Sequence, residues 1–230
     1  MIIGGLQKTS LLDYPDKVAA IIFTAGCNFR CGFCYNSNLV THTDQVKIIP
    51  EKEVLDFLSS RKKKLDAVVI TGGEPTLQPD LPQFIKKIKA LGYLVKLDTN
   101  GTNPAMLSVL IDSGLIDYIA MDIKGPLPKY AKIVKVNIDT DRIRESIEII
   151  KNSSLPYEFR STILPALHSR EDLLAMSELI AGANRYFLQK FMPVASLNDP
   201  AFRSLPSFTD AEMNELAKLC LANVKQCQVR

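Results

Sequence analysis

Three cysteines fall within eight residues, Cys27-Asn28-Phe29-Arg30-Cys31-Gly32-Phe33-Cys34, at CxxxCxxC spacing. A structural zinc site needs four protein ligands in tetrahedral closure. The loop supplies three, and the two histidines of the chain, His42 and His168, are not its neighbours. Three thiolates on one loop suit a [4Fe–4S] cluster in which one iron has no protein ligand and stays open to an exogenous molecule. Soft thiolates favour iron–sulfur over hard cations, while ligand type alone still allows zinc. Three free buried cysteines are the bland alternative. The five cysteines of the chain are odd in number and clustered, unlike a secreted disulfide framework. That pattern points to a metal or redox site in a reducing cytoplasm.

Other polar clusters invite the same question. In Gly72-Gly73-Glu74-Pro75 the glycines let the backbone approach a ligand closely, and the carbonyls with Glu74 offer acceptors to an ammonium group. A plain turn is the alternative. Asp98-Thr99-Asn100-Gly101 reads on its own as a turn in which Asp and Asn bond their own backbone. Asp122 and Lys124 alternate on one strand face, as a structural ion pair would. Arg160 puts a charge inside a strand-like run, either at a solvated edge or facing inward toward an anion. His42 and His168 read as surface or loop residues. Cys220 and Cys227, seven apart on an expected helix, read as packing thiols.

Such residues need elements to hold them. Apolar, β-branched runs of strand length recur at 18–24, 67–71, 94–98, 118–121, 157–163 and 186–191. Segments of helical period lie between them at 50–61, 80–91, 104–113, 139–152 and 170–181. Pro50 and Pro104 suit first-turn positions, Asp80 stands like an N-cap, and Gly92 and Gly114 fall where helices should stop. Apolar strands alternating with helices indicate an α/β fold with a parallel sheet covered by helices. Six βα units are too few for a closed eight-fold barrel, so an open, partial (β/α)6 barrel is expected. No linker divides it. The reading is one domain over 1–230, a cysteine loop at 24–36, and a C-terminal helix at about 208–226. In such folds chemistry gathers at the C-terminal strand ends. The cysteine loop and the clusters at Gly72, Asp98 and Asp122 each follow a strand.

At 230 residues, 47% hydrophobic and 23% charged, the chain reads as a globular protein rather than a disordered or collagen-like one. A net charge of +3 is too balanced to argue for nucleic acid or an anionic membrane as partner. The first residues lack the basic and long apolar regions of a secretory signal, and no apolar run approaches bilayer length, so a cytoplasmic location is expected.

CxxxCxxC with Phe33 before its last cysteine, placed after a first strand and followed by Gly-Gly-Glu-Pro, resembles the radical S-adenosylmethionine (SAM) superfamily. Asp13-Tyr14-Pro15, Phe23-Thr24-Ala25-Gly26-Cys27-Asn28-Phe29-Arg30-Cys31 and Cys34-Tyr35-Asn36 are similar to the glycyl-radical-enzyme activating proteins, above all those of anaerobic ribonucleoside-triphosphate reductase. Gly32 and Tyr35 depart from that pattern, where relatives often have Pro and His. The resemblance implies a radical-SAM-type barrel, a [4Fe–4S] cluster on Cys27, Cys31 and Cys34, and S-adenosylmethionine on its open iron. Reductive cleavage would then give a 5′-deoxyadenosyl radical that takes a hydrogen atom from a glycine of a partner enzyme. A flavodoxin- or ferredoxin-type protein would supply the electron. The resemblance further implies cofactor contacts for Phe33 and Asn36, and assigns the methionyl amino group to Gly72, Gly73 and Glu74. Asp98 and Asn100 would face the ribose or a small monovalent cation shared with Asp122. Asp122, Lys124 and Arg160 would face the sugar and carboxylate, and Gln189 the adenosine. The alternatives are a pyruvate formate-lyase-type activase, a small-molecule radical enzyme such as one contracting a purine ring, and a non-catalytic zinc or cluster adaptor.

Overall fold

The strands that carry the sheet are the apolar ones. A computed structural model of the protein describes residues 1–41 and 45–230; His42 lies outside them. Six parallel strands fall on the six expected runs: β2 (Ala19–Thr24), β3 (Ala67–Gly72), β4 (Leu94–Thr99), β5 (Tyr118–Asp122), β6 (Tyr157–Ile163) and β7 (Tyr186–Lys190). The sheet gains an edge strand at each end. The antiparallel β1 (Ile3–Ser10) lies beside β2, and the parallel β8 (Cys227–Val229) lies beside β7. Spatial order equals chain order from β1 to β8, and the sheet is open. This is the partial barrel expected from the sequence, widened by two strands.

The helices are α1 (Ser37–Val40), α2 (Glu51–Ser60), α3 (Leu81–Ala90), α4 (Pro104–Asp112), α5 (Tyr130–Val134), α6 (Thr140–Asn152), α7 (Arg170–Leu179) and α8 (Asp210–Cys220). Their starts are locally encoded. Asn103 caps α4 through the Met106 N–H, Pro104 fills the first helical position, and reciprocal capping boxes start α7 (Ser169, Asp172) and α8 (Thr209, Glu212). Two expectations shift. Pro50 precedes α2 as its N-cap residue, and the Asp80 carboxylate makes no cap bond at α3 but pairs with the Met1 ammonium.

The helix expected at 208–226 is shorter, because α8 stops at Cys220. Residues 221–226 contain no strong helix breaker, so tertiary contacts end the helix. Gly182 N–H donates to the Asn223 carbonyl, and Lys225 N–H to that of Ala183. β8 then satisfies the open edge of β7: Arg230 N–H donates to Leu188 O at 2.9 Å, and Lys190 N–H to Arg230 O at 3.0 Å. Cys220 and Cys227 therefore sit at the end of a helix and the start of a strand rather than on one helix.

Strand alternation sorts the core into two layers. Ala20, Ile22, Val68, Ile70, Val95 and Leu97 pack outward under the helices in the main core. Burying each of the larger ones is worth about 1.5–3 kcal/mol. Ala19, Ile21, Ala67, Val69 and Tyr118 turn inward and, with Tyr14, form a small separate cluster. Farther along the same inward face the residues turn polar. Register places Asp122 beside Arg160 and Thr162 beside Gln189.

Candidate active site

The cysteine loop leaves β2 at Thr24 and is held by its own backbone. Gly26, at φ +93°, donates its N–H to Leu39 O at 2.7 Å and accepts from Glu74 N–H at 2.8 Å. Cys34 N–H donates to Cys31 O at 3.3 Å, and Phe29 N–H reaches Cys27 Sγ at 3.4 Å. Gly32 has a packing reason here. A Cβ on it would lie 2.4 Å from the Phe202 ring.

Cys27, Cys31 and Cys34 are free thiols lining one cavity of about 390 Å³. Burial pushes their pKa values up, to about 12 for Cys27 and about 11 for Cys31. Left alone they would stay protonated, and a bound metal's positive charge is what would hold them as thiolates. Among the described residues no three His, Cys, Asp or Glu side chains gather closely enough to hold a single ion. Three soft donors on one loop suit the ligand set of a multi-iron cluster with one open iron.

The Gly72-Gly73-Glu74 segment locks the end of β3 against that loop. A Cβ on Gly73 would sit 2.0 Å from Gly26 O, so only glycine fits. Gly72 O accepts from Asn36 Nδ2 at 3.0 Å, which ties the residue after Tyr35 to the β3 end. Glu74 lines the cavity, but its carboxylate is buried and already engaged. It accepts from the Thr76 N–H and hydroxyl, the Thr99 hydroxyl and the Asn100 N–H. Burial pushes its pKa up against those bonds. The sequence offered this carboxylate to an ammonium group; in the fold it braces two strand ends. Asn100 bridges onward, donating from Nδ2 to Asn28 Oδ1 at 2.9 Å and approaching Cys27 Sγ at 3.9 Å.

Across the cavity from the thiols runs a chain of alternating charges on β4, β5 and β6. Lys96 Nζ lies 2.8 Å from Asp98, and Asp98 lies 3.0 Å from Arg160 Nη1. Arg160 Nε lies 3.0 Å from Asp122, and Asp122 lies 3.0 Å from Lys124 Nζ. Three cations against two carboxylates leave one positive charge, suited to a carboxylate ligand. Burial alone would raise both aspartates. Arg160 with Lys124 outweighs it at Asp122, lowering that pKa to about 2, and Arg160 with Lys96 lowers Asp98. The guanidinium stands between Asp98 and Asp122 and pairs with both.

Behind this chain sits His168, which is buried rather than on the surface. Its Nδ1 accepts from Leu164 N–H at 3.3 Å, so its Nε2 carries the proton and donates to Lys124 O at 3.0 Å. Burial lowers its pKa, which suits a neutral ring. Gln189 accepts from the Thr162 hydroxyl at 3.3 Å on the far wall.

The three thiols and the other eleven residues read from the sequence as cofactor contacts all line this cavity. Residues the sequence reading passed over line it too, among them Tyr35, Thr71, Thr162, Lys190 and Arg230. Thr162 was readable as the next inward position after Arg160. Arg230 was not, because it depends on β8; it stacks 3.4 Å from the Phe187 ring centroid and pairs with buried Glu158. The segment 192–204 was unreadable as well, and it crosses the outside of the cysteine loop. Asn198 donates its backbone N–H to Cys34 O and its Nδ2 to Cys31 O, each at 3.2 Å, and Asp199 N–H donates to Gly32 O at 3.0 Å.

Comparison with known proteins adds an independent line. The profile of the Radical SAM superfamily matches residues 21–180. A Methanocaldococcus jannaschii protein, named provisionally as a glycyl-radical enzyme activating enzyme, is 33% identical over 235 residues, spanning 100% of this chain and 95% of that one. The 7-carboxy-7-deazaguanine synthase of Neisseria meningitidis is 33% identical over 107 residues, 46% of this chain and 44% of that one. Among solved structures, Streptococcus suis SuiB bound to its precursor peptide SuiA superposes with a TM-score of 0.70 at 16% identity. That match covers 91% of this chain and 48% of SuiB, and it is a likeness of fold. No helix among the described residues is long and apolar enough to cross a membrane.

Proposed function

The chain belongs to the radical SAM superfamily, and from that premise we propose that it is the activating enzyme of a glycyl-radical enzyme, specifically of anaerobic ribonucleoside-triphosphate reductase. One observation supports this above the others: a single cavity gathers three thiols, a charge chain with one excess cation, and a polar far wall. The similarity to the Methanocaldococcus jannaschii protein, which runs the length of both chains, supports the choice of activase. When bound, a [4Fe–4S] cluster and S-adenosylmethionine supply an electron and a radical able to take a hydrogen atom.

The chain's own residues position that chemistry. Cys27, Cys31 and Cys34 ligate the cluster. Asn36, Gly73 and Glu74 hold the loop and the β3 end in register so that the ligand backbone approaches closely. Lys124 and Arg160, kept charged by Asp122 and Asp98, face the cofactor carboxylate. Asp98, Asn100 and Gln189 serve the ribose and adenosine side, and Phe33 packs the loop. Asp98 and Asp122, which both pair with Arg160, would also be the carboxylates beside a small monovalent cation. The open sheet edge leaves room for a protein substrate beside the cavity. Residues 1–230 act as one domain, in a reducing cytoplasm, with a flavodoxin- or ferredoxin-type donor.

The test is to mix anaerobically reconstituted, reduced protein and S-adenosylmethionine with the reductase and record electron paramagnetic resonance. A doublet glycyl signal on the reductase is expected. Cleavage of S-adenosylmethionine without that signal would overturn the choice of partner.

A further inference from the structure

Ten large apolar side chains are exposed among the described residues, and three of them belong to two segments that bond to each other: Tyr35, which lines the main cavity, and Met192 and Val194, which follow Lys190 of the same cavity wall. They are 40%, 54% and 38% exposed. Met192 N–H donates to the Tyr35 hydroxyl at 2.8 Å, and Ser37 donates to Ser196 O at 2.7 Å. The exposed run 192–195 is therefore fastened at both ends to the segment that follows the cysteine loop. Lys190, just before the run, lines the main cavity. Ser196, just after it, lines a second hollow of about 510 Å³ walled by Gly4, Phe23 and Leu39. Tyr35 and Asn36 line both hollows. Among the described residues that line the second hollow, Lys47 is the one charged side chain, whereas the main cavity is rich in charge.

From this continuity we infer that Tyr35, Met192 and Val194 form the docking strip for the glycine-bearing segment of the protein substrate. The inference rests on the activase reading, because a backbone glycine enters the cavity only if its flanking residues lie across the mouth. The strip fits an extended, largely uncharged polypeptide that passes over Tyr35 toward the second hollow. Pro193 offers no N–H there to be left unsatisfied. The strip is preorganised, since the chain just beyond it bonds the backbone carbonyls of Cys31, Gly32 and Cys34. Docking on a prefixed surface spends little binding energy on ordering.

Met192→Asp and Val194→Asp test the assignment, with Val109→Asp as a comparison at an exposed site on the outer helix α4. The probe is purified anaerobic ribonucleoside-triphosphate reductase immobilised on a biosensor, and the readout is the equilibrium Kd for the anaerobically reconstituted protein. Melting temperatures establish that each variant folds. Both strip variants are expected to bind roughly tenfold more weakly or worse, as loss of a central apolar contact does, and Val109→Asp to bind as the wild type. Strip variants that bind like Val109→Asp would overturn the proposal. So would loss of self-association in Val194→Asp with reductase binding intact, which would make the strip a dimer contact. If the wild type binds neither this reductase nor pyruvate formate-lyase, the activase reading itself fails and the strip assignment falls with it.

Discussion

Replacing Gly73 by Ala probes the joint on which the site depends. The added Cβ would lie 2.0 Å from Gly26 O and 2.6 Å from Gly26 C, both backbone atoms. Ordinary contact begins at 3.4 Å, so a strand end must move by more than 1 Å. Two backbone hydrogen bonds cross this joint, Gly73 N–H to Thr24 O and Glu74 N–H to Gly26 O, each 2.8 Å. Losing both costs about 2 kcal/mol. Overpacking strain adds about 1–3 kcal/mol, for a total near 4 kcal/mol. For a chain of this size each kcal/mol lowers Tm by about 2–4 °C, so the expected fall is on the order of 10 °C. Scanning calorimetry of the reduced, cluster-free protein measures it. Gly92→Ala is the comparison, because Gly92 has φ +92° but nothing within 4 Å of an added Cβ. Backbone strain alone should cost it about 1 kcal/mol. Equal melting temperatures for the two variants would refute the steric reasoning.

Two further predictions concern the walls of the site. Asp122 has its pKa lowered to about 2 and Asp98 is lowered as well, so their contribution to stability is complete above the unfolded value near pH 4 and disappears as pH falls toward 2. Arg160→Met removes the guanidinium that outweighs burial; it should cost about 3–5 kcal/mol at neutral pH, and that deficit should shrink as pH falls below about 4, because the lowered aspartate pKa values that make the wild type acid-sensitive are lost with it. Denaturant melts from pH 2 to pH 7 follow both effects, and a variant deficit that stays the same from pH 7 to pH 2 would contradict the charge chain. Asn198→Ala removes the side-chain bond to Cys31 O while leaving the backbone bond to Cys34 O. Hydrogen exchange should speed up in the cysteine loop and stay unchanged in α6; equal rates in the loop would show that the crossing segment does not hold it.

The parallel strands were legible because each is a nearly continuous apolar run, and their C-terminal ends were legible because glycines and short polar residues cluster there. That sufficed to bring Cys31, Gly73, Asp98, Asp122 and Arg160 into one place. The edges were harder. β1 carries Gly4, Gly5, Gln7 and Lys8, a weak strand signal, and its pairing with β2 decides the outcome. β8 was hidden because residues 221–226 would tolerate a helix, and only the unsatisfied edge of β7 argues otherwise. Arg230 was lost with it. The crossing segment at 192–204 has no period at all, and its role lies in hydrogen bonds to carbonyls far away in sequence. His168 shows the limit for single residues. A lone histidine gives no sign of burial, yet the fold sets it behind Lys124. Glu74 shows the reverse, a carboxylate that looks free in the sequence and in the structure already accepts four hydrogen bonds from Thr76, Thr99 and Asn100.

The central claim is that Cys27, Cys31 and Cys34 hold a cluster with one open iron beside a site for S-adenosylmethionine. Anaerobic reconstitution followed by iron, sulfide and zinc analysis, then reduction with S-adenosylmethionine present, tests it without any partner protein. About four irons and four sulfides per chain are expected, with release of 5′-deoxyadenosine and methionine, and Cys31→Ala should abolish both cluster and cleavage. One zinc per chain, no brown iron–sulfur absorbance and no 5′-deoxyadenosine would contradict the account.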